Sequence, residues 1–319
     1  MVLVGTGIFP DTYKTILLNL RNRPQNKPYH IITHTEIQRK QVERIFGIFN
    51  TTDYPVTYIT KHEKDRILSI DKKEWKTKHG FTGTDILIGT FGAWNESKNR
   101  IWLLKALEIL PDNYKLIFFG GVHPLSIQKF KVNDNTKLII DFFEERLQRN
   151  ANRIRCFGVI TDDSLFNEAM SCVDFCVAPY YENGQSASGT TSVALELGSK
   201  LITTYTNTFV AHRKYWPDSF EMFDIGNHIE LRDKILHFPI EKAANAKKNM
   251  NNYTPETLAA FYVKLANYLS GSGYKNNVGQ IDTASPTIAF SHTNQQTIIH
   301  ISKFKNSAKK VYKKLKSLI

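Results

Sequence analysis

The chain has few cysteines and no long apolar run, and both absences exclude classes of protein. Its three cysteines, Cys156, Cys172 and Cys176, are too few for a disulfide scaffold, and none are spaced as in a redox or zinc motif. No window approaches the roughly 18 unbroken apolar residues of a membrane span. The start, MVLVGTGIFPDTYK, lacks the basic region and long apolar stretch of a secretory signal. We therefore expect a protein of a reducing compartment, the cytoplasm.

Acidic residues are outnumbered by basic ones. The 319 residues include 42 Lys and Arg against 30 Asp and Glu, a net charge of +12, and 41% are hydrophobic. That apolar share is ample for a packed core and excludes global disorder. The positive charge favours an anionic partner, which could be a nucleotide phosphate, a nucleic acid or a lipid head group.

Short β-rich runs alternate with helical patterns through most of the sequence. Helices are predicted over 36–48, over 99–110 and through 193–197. Apolar strands that alternate with helices indicate a parallel sheet covered on both faces. The sequence thus predicts an α/β fold with a doubly wound parallel sheet. The predicted strands are 29–34, 55–60, 85–91, 116–119, 153–157, 175–178 and 201–204.

Composition divides the chain into five segments. Residues 1–62 read as a short α/β piece, 63–84 as a charged and polar linker, and 85–269 as the main sheet domain. Residues 270–302 are rich in Gly, Ser and Asn and predict a flexible connection. Residues 303–319 contain seven lysines and no acid, with apolar residues at helical spacing. This last segment is typical of a basic amphipathic helix that binds anionic lipid, although a docked terminal helix remains open. Its lysines lack the interleaved aromatics that would favour nucleic acid.

The sharpest local pattern lies between the strand at 175–178 and the next helix. The loop PYYENGQSASGTT (179–191) offers Gly184 and Gly189 for close backbone approach, and hydroxyls near the helix start. A helix N-terminus presents unpaired N–H groups and the positive end of its dipole, which together hold a phosphate. An ordinary capped helix is the alternative interpretation.

Rival motifs fail on their spacing. Gly184 and Gly189 have the Walker A glycine spacing, but Thr190 stands where that motif needs lysine. Near the start, Gly5 and Gly7 lack the third glycine of a dinucleotide fingerprint, because Pro10 occupies its place. No Gly-x-Ser-x-Gly elbow, Asp-x-Asp pair or cluster with metal-ligand spacing is present, so no metal site is expected.

Two further strand ends carry candidate residues. Gly92 follows the strand at 85–91, and Lys98 comes six residues later, where its ammonium could neutralise a phosphate. Gly120 and Gly121 close the next strand and lead to His123.

In these segments the chain resembles the donor half of the group 1, retaining nucleotide-sugar glycosyltransferases of GT-B architecture. The resemblance runs through residues 87–121 and 153–203. It implies a Rossmann-like donor domain over 85–269, preceded by a shortened acceptor-side piece. The chain would then be a fragment, a reduced enzyme or one subunit of a split enzyme.

The resemblance also implies roles for individual residues. The diphosphate would be held by Gly92, Lys98, Ser188, Gly189 and Thr190. The nucleotide or the sugar would be lined by His123, Val159, Ile160, Glu182 and Gln185. No catalytic residue is identified by it.

Two departures from the family pattern stand out. The family's arginine after the glycine turn is absent, because Ala93 follows Gly92. The family's glutamate pair would fall on Gln185 and Val193, and the nearby Glu182 and Glu196 do not have its spacing. Gln185 retains the capacity to hydrogen-bond a sugar hydroxyl.

The expected activity is metal-independent transfer of a sugar from a UDP- or GDP-linked donor, with no cofactor. The acceptor would be a glycan, a lipid-linked glycan or a cell-envelope glycan. The alternative is a non-catalytic nucleotide-sugar-binding module or the partner subunit of a split enzyme. An enzyme with a lipid-linked acceptor would work at the inner membrane face, which residues 303–319 could contact.

Overall fold

The structure is a computed structural model that describes residues 2–3, 11–22, 29–92, 96–120, 145–181 and 187–270. Within these ranges the chain forms two parallel sheets, one of three strands and one of six. The predicted connection after Ser270 and the basic segment 303–319 lie outside the described residues.

The smaller sheet is formed by the N-terminal part of the chain, in the strand order β1-β2-β3. Its elements are β1 (Val2–Leu3), α1 (Asp11–Arg21), β2 (Ile31–Thr33), α2 (Glu36–Phe46) and β3 (Thr51–Asp53). Helix α2 begins at a cap formed by Thr35, whose side chain accepts the Gln38 N–H, and ends at Gly47, which has a φ of 63°. The helices pack on the sheet through the buried side chains of Leu17, Ile31, Val42, Phe46 and Ile48.

The strand predicted over 55–60 is wrong. The third strand is β3 (Thr51–Asp53), and residues 55–60 belong to no strand. Pro55 has no N–H for a ladder bond, and the N–H groups of Tyr58 and Ile59 bond to the Glu196 side chain instead. This segment therefore leaves the first sheet and runs to the second.

The linker predicted over 63–84 is also wrong, because most of this segment folds into two helices, α3 (Lys61–Leu68) and α4 (Lys72–Lys78). Ile67, Trp75 and Phe81 are buried in the core of the second sheet. Most of the charged residues of these helices lie on their outer faces, although Lys64 and Lys76 are buried. The buried ammonium group of Lys76 donates to the Asp174 carboxylate at 2.7 Å.

The larger sheet has six parallel strands in the order β6-β5-β4-β7-β8-β9. The order reverses between β4 and β7, where the chain turns from one half of the sheet to the other. Apolar clusters cover both faces of the sheet. This confirms the predicted doubly wound α/β fold. The strands are β4 (Ile86–Phe91), β5 (Tyr114–Phe119), β6 (Ile154–Gly158), β7 (Phe175–Ala178), β8 (Leu201–Thr204) and β9 (Phe220–Phe223).

Helices lie between several of these strands and after β9, the last strand. They are α5 (Ile101–Glu108), α6 (Asp163–Cys172), α7 (Gly189–Glu196), α8 (Asn207–His212), α9 (His228–Leu236), α10 (Ile240–Asn249) and α11 (Pro255–Ser270). Strands β7 and β8 coincide with their predicted ranges, and β4, β5 and β6 start within two residues of theirs.

Two sets of contacts join the smaller sheet to the larger one. Helix α11 packs on Tyr54, whose ring stacks on Phe261 with 5.2 Å between centroids. The buried carboxylate of Asp53 accepts from Arg39 Nε at 2.7 Å and from both Lys214 Nζ and Tyr215 Oη at 2.6 Å. An ionic cluster therefore links the end of β3 to the segment after α8.

Candidate functional site

The site is built at the carboxyl ends of β4 and β5, where two glycines meet. Gly92 has a φ of 101° and donates its N–H to the Phe119 carbonyl at 2.9 Å. Gly120 has a φ of 148°, and a side chain there would overlap the Gly92 carbonyl group. Only glycine permits both the backbone conformation and this close approach. The two strand ends thus form a surface without side chains of their own.

Lys98 lies over this surface. It ends a short 3₁₀ turn (Glu96–Lys98), and its Nζ is 3.6 Å from the ring centroid of Tyr180, directly after β7. A Cβ on Gly92 would meet Lys98 Cε at 3.9 Å and Thr190 Oγ1 at 3.7 Å. The structure therefore brings together three of the predicted diphosphate-binding residues, Gly92, Lys98 and Thr190.

The first turn of α7 supplies the remaining two. The side chain of Ser188 is buried and accepts the Thr191 N–H, so it serves as the helix cap. Behind the turn, Thr191 Oγ1 donates to the Ser188 carbonyl and lies 3.2 Å from His212 Nε2. Burial lowers the pKa of His212 to about 4, which leaves the ring neutral at pH 7. The backbone of Gly189 and Thr190 remains at the open end of the helix, where N–H groups lack intrahelical acceptors.

These residues meet at the point where the strand order reverses. The Gly92–Lys98 segment follows β4, and the Ser188–Thr190 turn follows β7, the neighbouring strand. In open α/β sheets, ligands bind in the crevice beside such a switch point. A glycine surface, an ammonium group and a helix N-terminus in one crevice form an anion-binding arrangement.

Comparisons with known proteins find likeness in structure but not in sequence. No family model and no curated protein match the chain. HepE from Anabaena in complex with UDP is similar with a TM-score of 0.64 and 14% identity, covering 84% of this chain and 71% of that one. The sucrose-phosphate synthase of Thermosynechococcus elongatus is similar with a TM-score of 0.60 and 14% identity, covering 83% of this chain and 66% of that one. WaaG, a glycosyltransferase involved in lipopolysaccharide biosynthesis, gives 0.54 and 18%, covering 76% and 63%.

The chain has the GT-B fold. In a GT-B protein the two sheets belong to two α/β units.

Sequence reasoning missed one cation of this GT-B site, Arg100. Its Nη2 donates to the Gly92 carbonyl at 2.6 Å, and burial lowers its pKa to about 10, so it stays cationic at neutral pH. A guanidinium thus fixes the glycine turn although Ala93 occupies the family's arginine position. The sequence signal was an arginine at the start of an otherwise apolar helix. Asn99, between Lys98 and Arg100, has a φ of 48°. This left-handed conformation is costly for residues other than glycine, and residues that adopt it cluster at functional sites.

The predicted nucleotide-side residues follow β6. Val159 is 64% exposed, whereas Ile160 packs against the core. Phe157, just before them, packs against Trp75 and His79 of the α4 region, so the segment misread as a linker supports this side of the site.

Three predicted site residues, His123, Glu182 and Gln185, lie outside the described residues. Val193, at one glutamate position of the family, is buried in the core. Glu196 does not face the crevice, because its carboxylate accepts the backbone N–H groups of Tyr58 and Ile59.

The described residues contain neither a membrane-spanning helix nor a metal-ligating cluster. Within them, no helix is long and apolar enough to cross a membrane. No group of three or more His, Cys, Asp or Glu side chains could hold a metal ion in the same part of the chain.

Proposed function

We propose that this protein transfers a sugar from a UDP- or GDP-linked donor to a glycan, lipid-linked or cell-envelope acceptor, with retention and without a metal ion. The observation that carries the proposal is the meeting of Lys98 with the first turn of α7 at the switch point. The GT-B fold supports it, because several neighbours are glycosyltransferases or were crystallised with UDP or UDP-glucose.

The site residues would act on the leaving nucleotide. As the glycosidic bond to the diphosphate breaks, negative charge builds on the phosphate oxygens. The N–H groups of α7, its dipole and the Lys98 ammonium are already oriented toward that charge, and preorganised groups stabilise a transition state most. Gly92 lets the diphosphate approach the backbone, and Arg100 holds the Gly92 carbonyl in place.

Replacing Lys98 tests this arrangement. Lys98→Ala should weaken binding of UDP or GDP by about tenfold or more, because a charge-assisted contact in a partly buried site is lost. Thr190→Val should have a smaller effect, since backbone N–H groups share the task of the hydroxyl. Calorimetric titration measures both, with the exposed Lys73→Ala as the control. Unchanged affinity in Lys98→Ala would remove the lysine from the site.

A second candidate function is a nucleotide-sugar-binding subunit without turnover. The departures at Ala93, Gln185 and Val193 favour it, and Val193 is buried and cannot contact a donor. A screen of UDP- and GDP-sugars separates the two functions. Thermal stabilisation without donor hydrolysis or transfer supports the binding subunit, and turnover supports the enzyme.

We also propose that residues 303–319 bind anionic membranes. Their seven lysines support this, since each lysine near an anionic surface contributes at most about 1 kcal/mol. Sedimentation with vesicles should show binding that needs anionic lipid and weakens with salt. Equal binding by a chain lacking 303–319 would contradict the proposal.

A further inference from the structure

The extended segment that leaves the first sheet lies along α7. The carboxylate of Glu196, the last residue of α7, accepts the Tyr58 N–H at 3.0 Å and the Ile59 N–H at 2.8 Å. Glu196 is 0% exposed. A buried carboxylate is costly and is disfavoured at the C-terminal end of a helix dipole. What the burial of Glu196 provides is these two hydrogen bonds, which hold the backbone of Tyr58 and Ile59.

The side chain of Tyr58 reaches the opposite end of the same helix. Gly189 and Glu196 are seven residues apart and so lie on one face of α7. A Cβ on Gly189 would come within 3.0 Å of Tyr58 Oη. Tyr58 therefore spans α7, with its backbone held at the last residue and its hydroxyl beside the first.

The position of this hydroxyl matters chemically. Tyr58 is 52% exposed, and its phenol can donate a hydrogen bond. The same crevice contains Lys98 on the ring of Tyr180. The Tyr180 hydroxyl is itself buried and has no hydrogen-bond partner among the residues that the structure describes.

We propose that the Tyr58 hydroxyl donates a hydrogen bond to the diphosphate at the first turn of α7, and that Glu196 is the positioning residue that holds Tyr58 there. This inference rests on the proposed function. It adds the segment that connects the two α/β units to the donor site.

Titration of the full-length protein with UDP and with GDP tests the contact. Tyr58→Phe removes only the hydroxyl and should weaken binding of the preferred nucleotide by about tenfold. Tyr262→Phe, which removes a hydroxyl from α11, should bind like the wild type. Wild-type affinity in Tyr58→Phe, with Lys98→Ala weakened, would overturn this inference alone. A wild-type protein that binds neither nucleotide would overturn the proposed function as well.

A double-mutant cycle tests the positioning role of Glu196. Glu196→Gln should weaken nucleotide binding in the wild type but have little further effect in the Tyr58→Phe protein, because its influence passes through the tyrosine. Loss of affinity by the same factor in both backgrounds would show a merely structural role and overturn this part. If Glu196→Gln fails to fold, Glu196→Asp provides the same cycle with the charge retained.

Discussion

At the scale of single residues, two buried ionisable groups lie at α7. Glu196 is its last residue, and His212 lies against Thr191 in its first turn. Burial raises the pKa of Glu196 from its ordinary value of 4.5 to about 7, although the N–H groups of Ile59 and Tyr58 and the charge of Lys64 favour its ionised form. Burial lowers the pKa of His212 to about 4. The carboxylate holds the connecting segment, and the neutral imidazole lies against Thr191. Each therefore supports the candidate site from behind rather than entering it.

The raised pKa of Glu196 gives the stability of the protein a defined pH dependence. A carboxyl group whose pKa is higher in the folded state contributes stability that is present at low pH and lost as pH rises from about 4.5 to about 7. The free energy of unfolding of Glu196→Gln, relative to wild type, should therefore increase over this range by roughly 1–3 kcal/mol. Urea unfolding at both ends of the range measures it, and the buried histidines cancel in the difference. A difference that does not change with pH would contradict the prediction.

At the scale of elements, the site depends on the contact between the ends of β4 and β5. The carbonyl of Gly92 lies against the Cα of Gly120 and accepts from Arg100. The turn after β4 is thus held from two sides while its upper surface stays bare. Gly92 also lies close to both Lys98 and Thr190, which follow the two strands at the switch point.

Gly120→Ala tests this contact. The added methyl group would overlap a backbone carbonyl that cannot move aside, and the positive φ adds strain. We expect a loss of roughly 2–4 kcal/mol in the free energy of unfolding, measured in urea. Gly83→Ala is the matched control, because its Cβ would meet no atom within 4 Å. Equal stability of the two variants would show that the strand ends are not in close contact.

At the scale of the whole molecule, the two α/β units are joined by an ionic cluster. Asp53 at the end of β3 accepts from Arg39 of its own unit and from Lys214 and Tyr215 of the other. Burial alone would raise the pKa of Asp53, but these three donors lower it below its ordinary value. The cluster and the Tyr58–Glu196 contact hold the connecting segment at both ends.

Asp53→Asn should weaken the contact between the two α/β units. The substitution removes the anionic partner of Lys214 and one carboxylate from Arg39, which keeps its ion pairs with Glu36 and Glu43. Removal of one member of an ion pair costs roughly 3–5 kcal/mol when both partners are buried. Lys214 is partly exposed, so we expect about 2–4 kcal/mol in urea unfolding. Asp112→Asn, at a fully exposed carboxylate that pairs with Arg153, should change stability by less than about 0.5 kcal/mol. Comparable losses in the two variants would show that the cluster does not stabilise the protein.

The sequence by itself determined the parallel sheet and the loops at its carboxyl edge. The strand at 175–178 is apolar throughout, and the strand at 201–204 combines two apolar residues with two threonines. Both are buried on both faces, and local composition identifies them. The capped start of α7 and the glycine turn after β4 were likewise recognisable, because backbone geometry depends on nearby residues.

Only the tertiary structure decided which distant residues meet. Helices α3 and α4 were predicted as a linker because their many charged residues are visible in the sequence. The surfaces that bury Ile67 and Trp75 come from elsewhere in the chain and are not. Residues 55–60 have the composition of a strand, but their N–H groups bond to Glu196, more than 130 residues away. A contact between residues so far apart in the sequence produces no periodic pattern. It depends on how the two units pack and not on local spacing.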